Sequence, residues 1–135
     1  MLKKLTILFL FLTISPFAQA QDNGAARCDL QFSHRVCALI SFPAAPQVNV
    51  DSPFQLSFTD TEGNPVEPQG LFVDLWMDMG HHSHGSAPVK IEQKSPYEFV
   101  VSNVYFVMRG LWAIRVTLAD DNGTKETKSL MIRIQ

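Results

Sequence analysis

The sequence predicts an all-β protein: an antiparallel β-sandwich of about seven strands. Apolar residues occupy every second position in several separate segments, which is the pattern of a strand with one buried face. The clearest segments are residues 71–77 and 112–118, where Leu, Val, Met, Trp and Ile alternate with other residues. No long window shows the helical spacing of three and four. Turn residues separate the segments, and Asn122-Gly123 predicts a hairpin because Asn-Gly accepts positive φ.

The turn residues and the alternating segments together define the predicted strands. The apolar residues change from odd positions, ending at Val101, to even positions, starting at Val104, which predicts a β-bulge near Ser102-Asn103. Short strands at this spacing are typical of an immunoglobulin-like sandwich. The seven strands are expected near residues 36–42, 53–59, 71–79, 89–92, 97–107, 111–119 and 127–134.

The N-terminal segment has the three parts of a secretory signal peptide. Lys3 and Lys4 precede an apolar stretch over residues 5–14, and Ala18-Gln19-Ala20 matches the small-x-small cleavage pattern. We therefore predict a signal peptide over residues 1–20 and a single domain over residues 21–135. The apolar stretch is too short for a permanent transmembrane helix, and no second one follows. The mature protein is expected to be periplasmic or secreted, without stable membrane insertion.

The charge of the mature chain argues against nucleic acid as a partner. Removal of the two signal-peptide lysines leaves nine basic residues against 13 acidic ones, a formal net charge of −4. No basic stripe is present, whereas nucleic-acid-binding surfaces are basic.

Cys28 and Cys37 are the two cysteines of the chain. In an oxidising compartment the default expectation is a disulfide, which here would tie the N-terminal segment to the first strand. Metal binding by the two thiolates is the alternative, although the C-x8-C spacing matches no common metal site.

One short stretch concentrates potential metal donors. Three of the four histidines and two of the five methionines lie within eight residues, and Gly80 and Gly85 bracket the histidines. Thioether sulfur favours Cu(I), and imidazole binds both copper and zinc, so the mixed set favours copper. The predicted ligands from this stretch are Met77, Met79, His81, His82 and His84.

Chain direction in an antiparallel sandwich adds Met108 to this set. If each connection reverses direction, Met108 emerges at the same end as the histidines and His34 lies at the opposite end. The alternatives remain open: the methionines could be core packing, the histidines a solvated loop, and Asp78 a ligand, a partner of a histidine or an ordinary surface carboxylate. Adjacent His81 and His82 cannot both face one direction on an extended chain.

Two motifs resemble the YtkA-like domain family, which is related to the FixH-like proteins. They are Leu75-Trp76-Met77-Asp78-Met79-Gly80-His81 and Tyr105-Phe106-Val107-Met108-Arg109-Gly110-Leu111-Trp112, with Ser86-Ala87-Pro88-Val89 between them. The resemblance covers roughly residues 48–134. It implies an immunoglobulin-like β-sandwich in an exported or membrane-tethered protein, often linked to copper handling or oxidase assembly, with Met77, Met79, His81 and Met108 as ligands. Asp78 between the methionines and the extra His82 and His84 depart from the family pattern.

These observations predict a copper-binding protein that acts as a carrier, buffer or metallochaperone, with the oxidation state of the ion left open between Cu(I) and Cu(II). The alternative is an assembly or docking factor for a membrane oxidase or a copper transporter, in which metal binding is incidental. An enzyme is not expected, because no nucleophile or triad-like set accompanies the histidines.

Overall fold

The computed structural model describes residues 26–135, and the predicted signal peptide at 1–20 lies outside the described residues. The described chain forms strands and one 3-10 turn over Ser33–Arg35. The strands are β1 (Leu30–Gln31), β2 (Val36–Ser41), β3 (Phe54–Asp60), β4 (Phe72–Asp78), β5 (Ser83–Gly85), β6 (Lys90–Ser95), β7 (Glu98–Ser102), β8 (Gly110–Ala119) and β9 (Lys125–Ile134).

The strands form two sheets that pack face to face. One sheet has the order β1-β2-β3-β7-β6 and the other the order β5-β4-β8-β9, with antiparallel pairing between all neighbours. The predicted all-β, immunoglobulin-like sandwich is therefore confirmed, with nine strands rather than about seven. The two additional strands, β1 and β5, contain two and three residues, which is too short for alternation to be recognised in the sequence.

The predicted fifth strand and its bulge are wrong in detail. Residues 97–107 do not form one continuous strand, because β7 ends at Ser102 and Asn103 adopts a left-handed conformation with φ of 59°. This change of direction accounts for the parity shift seen in the sequence. Val104 and Phe106 remain fully buried although they lie outside the strand. The register shift in the β6–β7 pair lies instead between Gln93 and Ser95 on β6.

The core lies between the inner faces of the two sheets. Trp112 is fully buried, as its parity predicted, and its ring packs edge-to-face against Phe106 with centroids 5.6 Å apart. Burial of one such large apolar side chain stabilises the fold by about 1.5–3 kcal/mol. The largest fully buried side chains are Trp112, Phe54, Phe58, Phe106, Leu56, Leu75, Ile114, Ile134, Val101, Val104 and Val116.

The predicted disulfide between Cys28 and Cys37 is formed, with the two Cα atoms 5.4 Å apart. The thiolate alternative is therefore wrong, because both cysteines of the chain are used in this bond. Such disulfides persist in oxidising compartments, which is consistent with an extracytoplasmic location. Within residues 26–135, no helix has the length and apolar character needed to cross a bilayer.

The two ends of the sandwich carry different features, the β4–β5 hairpin at one end and a cavity at the other. Because β4 and β8 are antiparallel, the turn after β4 lies beside the start of β8, at what we call the hairpin end. At the opposite end, the cleft end, His34 lines a cavity of about 430 Å³ together with Leu118 and Ala119 from the last part of β8. Met108 precedes β8 and lies near the hairpin end. The predicted separation of His34 from the other three histidines is therefore confirmed.

Candidate metal site

The β4–β5 hairpin aligns the methionines with two of the histidines. Met77 is paired directly with His84 in the ladder. The pairing continues beyond the strands, because the backbone N–H of Met79 donates to the carbonyl of His82 at 2.9 Å. Residues directly opposite each other in an antiparallel pair project from the same face, as do residues two apart on one strand. The register therefore places Met77, Met79, His82 and His84 on one face, which we call the donor face.

The donor face extends from the core into solvent. Met77 is 7% exposed and belongs to the core cluster, and His84 opposite it is half-buried. Met79 is 41% exposed, and His82 opposite it is exposed as well. The rings of His82 and His84 lie at 87° to each other with centroids 5.3 Å apart, which supports their placement on one face. The site therefore has an inner Met–His pair and an outer one.

The turn between the two strands depends on Gly80. Its φ is +83°, and the N–H of His81 donates to the carbonyl of Met79 at 3.1 Å, which closes a γ-turn around the glycine. The carboxylate of Asp78 accepts a hydrogen bond from the Gly80 N–H at 2.8 Å and so stabilises the same turn. His81 lies in the turn, is exposed, and has no cross-strand partner in the hairpin. His81 is therefore outside the register that sets His82 and His84 opposite the methionines.

The first residue of β8, Gly110, lies against the inner part of the donor face. A Cβ atom added at Gly110 would overlap the ε-methyl group of Met77 and lie 3.9 Å from its sulfur. The indole N–H of Trp112 donates to the carbonyl of Met108 at 2.9 Å and holds the segment before β8 in place. The side chain of Met108 is half-buried against the core. Sequence reasoning missed the role of Gly110, although the glycine between Met108 and Trp112 was a usable signal.

The donor set fits a soft metal ion better than a hard one. Within residues 26–135, no group of three or more His, Cys, Asp or Glu side chains is arranged to hold a metal. What the hairpin brings together is two imidazoles and two thioethers, and thioether sulfur is a ligand for Cu(I). An imidazole–metal bond is about 2 Å long, so ring centroids 5.3 Å apart are close enough for both rings to contact one ion.

The outer face of the four-stranded sheet has a different character. The guanidinium of Arg115 lies 4.4 Å from the centroid of the Trp76 ring and forms an ion pair with Asp74. Hydrogen bonding to Asp74 raises the pKa of Arg115 above its ordinary value. Leu111 and Met131 share this face and are 43% and 52% exposed. Trp76 itself is half-buried, so this face is partly exposed to solvent.

Comparison with known proteins supports the motif resemblance. The model of the YtkA-like family matches residues 32–117, a range that includes the hairpin and the Met108–Trp112 segment. The chain belongs to the YtkA-like family. This YtkA-like chain is also similar in structure to murine CRIg, with a TM-score of 0.43 and 15% sequence identity, over 73% of this chain and 96% of that chain. Among curated proteins, none matches this sequence.

Proposed function

We propose that this YtkA-like protein is a periplasmic or secreted copper-binding protein that carries or buffers the ion without turnover. The register of the β4–β5 hairpin is the observation that supports the proposal most strongly. It pairs each methionine with a histidine on one face, whereas core packing alone gives no reason for two imidazoles beside two thioethers. The disulfide and the N-terminal signal pattern support an extracytoplasmic site of action.

Metal titration followed by native mass spectrometry tests the proposal directly. Copper is added at micromolar concentration, once under reducing anaerobic conditions and once as Cu(II). We expect one ion per chain in the wild type, and an affinity lower by at least about tenfold in the double variant H82A/H84A, because even loss of a group that only orients a ligand costs 10–100-fold.

The variant H34A is the matched control, since His34 is an exposed histidine at the cleft end. It should bind copper as the wild type does. Absence of bound copper in both oxidation states, or equal binding by wild type and H82A/H84A, would remove the proposal.

A second function is favoured by the outer face of the four-stranded sheet. Leu111 and Met131 are exposed on the face that also carries Trp76, and contiguous exposed apolar surface marks sites of protein–protein contact. The protein could thus dock on a membrane oxidase or a copper transporter as an assembly factor. In that case co-purification of the partner should survive H82A/H84A, and loss of the partner in this variant would instead couple docking to the metal.

A further inference from the structure

We infer that the donor face takes copper as Cu(I), through Met77, Met79, His82 and His84, and that His81 is not a ligand. The inference rests on the proposed function and specifies the chemistry of the same site. It differs from the ligand set implied by the family resemblance, which includes His81 and neither His82 nor His84. It also removes the ambiguity in oxidation state that the extra histidines leave in the sequence.

The first argument comes from the donors that the register brings together. Each imidazole on the donor face lies opposite a thioether: His84 opposite Met77, and His82 opposite Met79. Thioethers select Cu(I), whereas Cu(II) prefers tetragonal sites of nitrogen and oxygen ligands. Zinc sites in proteins use thiolate, imidazole and carboxylate ligands. A face on which every nitrogen donor is accompanied by thioether sulfur therefore matches the monovalent ion.

The second argument comes from the harder donors nearby, which are directed elsewhere. Asp78 is the last residue of β4 and lies between the two methionines in sequence, so its side chain projects from the opposite face of the strand. Its carboxylate accepts the Gly80 N–H and is held in the turn. His81 lies in the same turn, where the γ-turn hydrogen bond sets its backbone. The oxygen and third nitrogen that would favour Cu(II) thus belong to the turn and not to the donor face.

The third argument concerns access. The inner pair, Met77 and His84, is buried or half-buried, while the outer pair, Met79 and His82, is exposed. An incoming ion meets the outer pair first and can then acquire the inner ligands. The inner pair lies against Gly110 and the core, in surroundings that exclude water from one side of the ion. A low-polarity site of this kind stabilises a singly charged ion more readily than a doubly charged one.

The experiment compares Ag(I), Cu(II) and Zn(II) on the mature protein with its disulfide intact. Ag(I) is used because it is a soft monovalent ion that does not change oxidation state in air. Affinities are measured by competition titration, and the ε-methyl signals of the methionines are followed by NMR. The variants are Met79→Leu, with Met131→Leu as the control for an exposed methionine on the outer face, and His81→Ala.

We expect Ag(I) to bind more tightly than Cu(II) or Zn(II) and to shift the Met77 and Met79 methyl signals. Met79→Leu should lower Ag(I) affinity by at least about tenfold and leave Cu(II) affinity unchanged, while Met131→Leu and His81→Ala should bind Ag(I) as the wild type does. Cu(II) binding as tight as Ag(I) binding, or a tenfold loss of Ag(I) affinity in His81→Ala, would overturn the inference and leave copper binding itself standing. Failure to bind any of the three ions would overturn the proposed function as well.

Discussion

The two ends of the sandwich use their polar side chains in opposite ways. At the cleft end, the carboxylate of Asp120 accepts hydrogen bonds from the N–H groups of Asn122 and Thr124, and Glu126 accepts one from Ser33. These acceptors stabilise turns. At the β4–β5 hairpin, the side-chain hydrogen bonds found within residues 26–135 are made by Asp78 and Ser86 and not by His82 or His84. A neutral imidazole has one unprotonated ring nitrogen, which is the atom that binds a metal.

The difference shows why histidine content alone does not identify a site. His34 is also exposed and lies beside a cavity lined by Glu67 and Glu126, but within residues 26–135 no three His, Cys, Asp or Glu side chains are arranged to hold a metal, at this end or at the hairpin end. What distinguishes the hairpin end is the register, which sets thioethers and imidazoles opposite each other. Perturbing each end separately should therefore affect different properties of the protein.

Loss of the disulfide should have the largest effect on stability and leave the hairpin end intact. Cys37 is buried and is the second residue of β2, near the cleft end. Closure of a loop of this length stabilises a fold by about 3 kcal/mol, so the variant C28S/C37S should melt on the order of 10 °C lower. Thermal unfolding followed by circular dichroism measures this. Below the melting temperature, Ag(I) affinity should equal that of the wild type; a lowered affinity would mean that the two ends are coupled.

Substitution of Gly110 should disturb the hairpin end specifically. Gly110→Ala brings a Cβ atom into the ε-methyl of Met77 and also strains a φ of +135°, so we expect a loss of about 1–3 kcal/mol in the free energy of unfolding and weaker metal binding. Gly123→Ala is the matched control, because its φ is +79° but no atom lies within 4 Å of the added Cβ. Gly123→Ala should lose only the stability that corresponds to backbone strain at its positive φ, and it should bind metal as the wild type does. Denaturant unfolding and Ag(I) titration check both variants. Equal Ag(I) affinities of Gly110→Ala and Gly123→Ala would contradict a role of the Gly110–Met77 contact in the metal site.

The smallest effect on stability is expected from substitution of Asp60, in a turn at the cleft end. Hydrogen bonds from the side chain and the N–H of Asn64, with a further one from the Glu62 N–H, lower the pKa of Asp60 below its ordinary value of 3.8. A carboxyl group whose pKa is lowered by folding stabilises the folded protein at pH values above its ordinary pKa. This contribution is lost as the pH falls through the folded-state pKa. The melting temperature of the wild type should therefore exceed that of Asp60→Asn at pH 6, and the gap should close below pH 3.8. A gap that is constant with pH would contradict this origin.

The sequence predicted the sandwich and the burial of Met77, because both depend on strict alternation of apolar residues, while the role of Met77 as a ligand stays a prediction. Met77 continues the parity of residues 71–75, and it is buried as that parity requires. Which histidines lie on the same face as the methionines could not be predicted in this way. β5 has only three residues, Ser83–Gly85, and shows no alternation of its own. Whether His81 or His82 lies opposite Met79 depends on the two-residue turn at Gly80, which only the three-dimensional register decides.

The Met108 prediction shows the value and the limit of topological reasoning. Counting reversals of chain direction placed Met108 near the hairpin end, and the Trp112–Met108 hydrogen bond and the Gly110–Met77 contact agree with that placement. The prediction held although β5 was missed, because β5 and β6 run in the same direction while the chain crosses from one sheet to the other. The direction of the Met108 thioether depends on packing in a segment without regular structure. Its role as a ligand therefore stays a prediction.

X-ray absorption at the copper edge, on mature protein loaded anaerobically with Cu(I), measures the ligands of the ion directly. If the hairpin register creates the site, the spectrum will show imidazole nitrogen and thioether sulfur together, and the sulfur contribution will fall in Met79→Leu but not in Met131→Leu. A shell of nitrogen and oxygen alone, unchanged in Met79→Leu, would contradict the assignment of the donor face as the copper site.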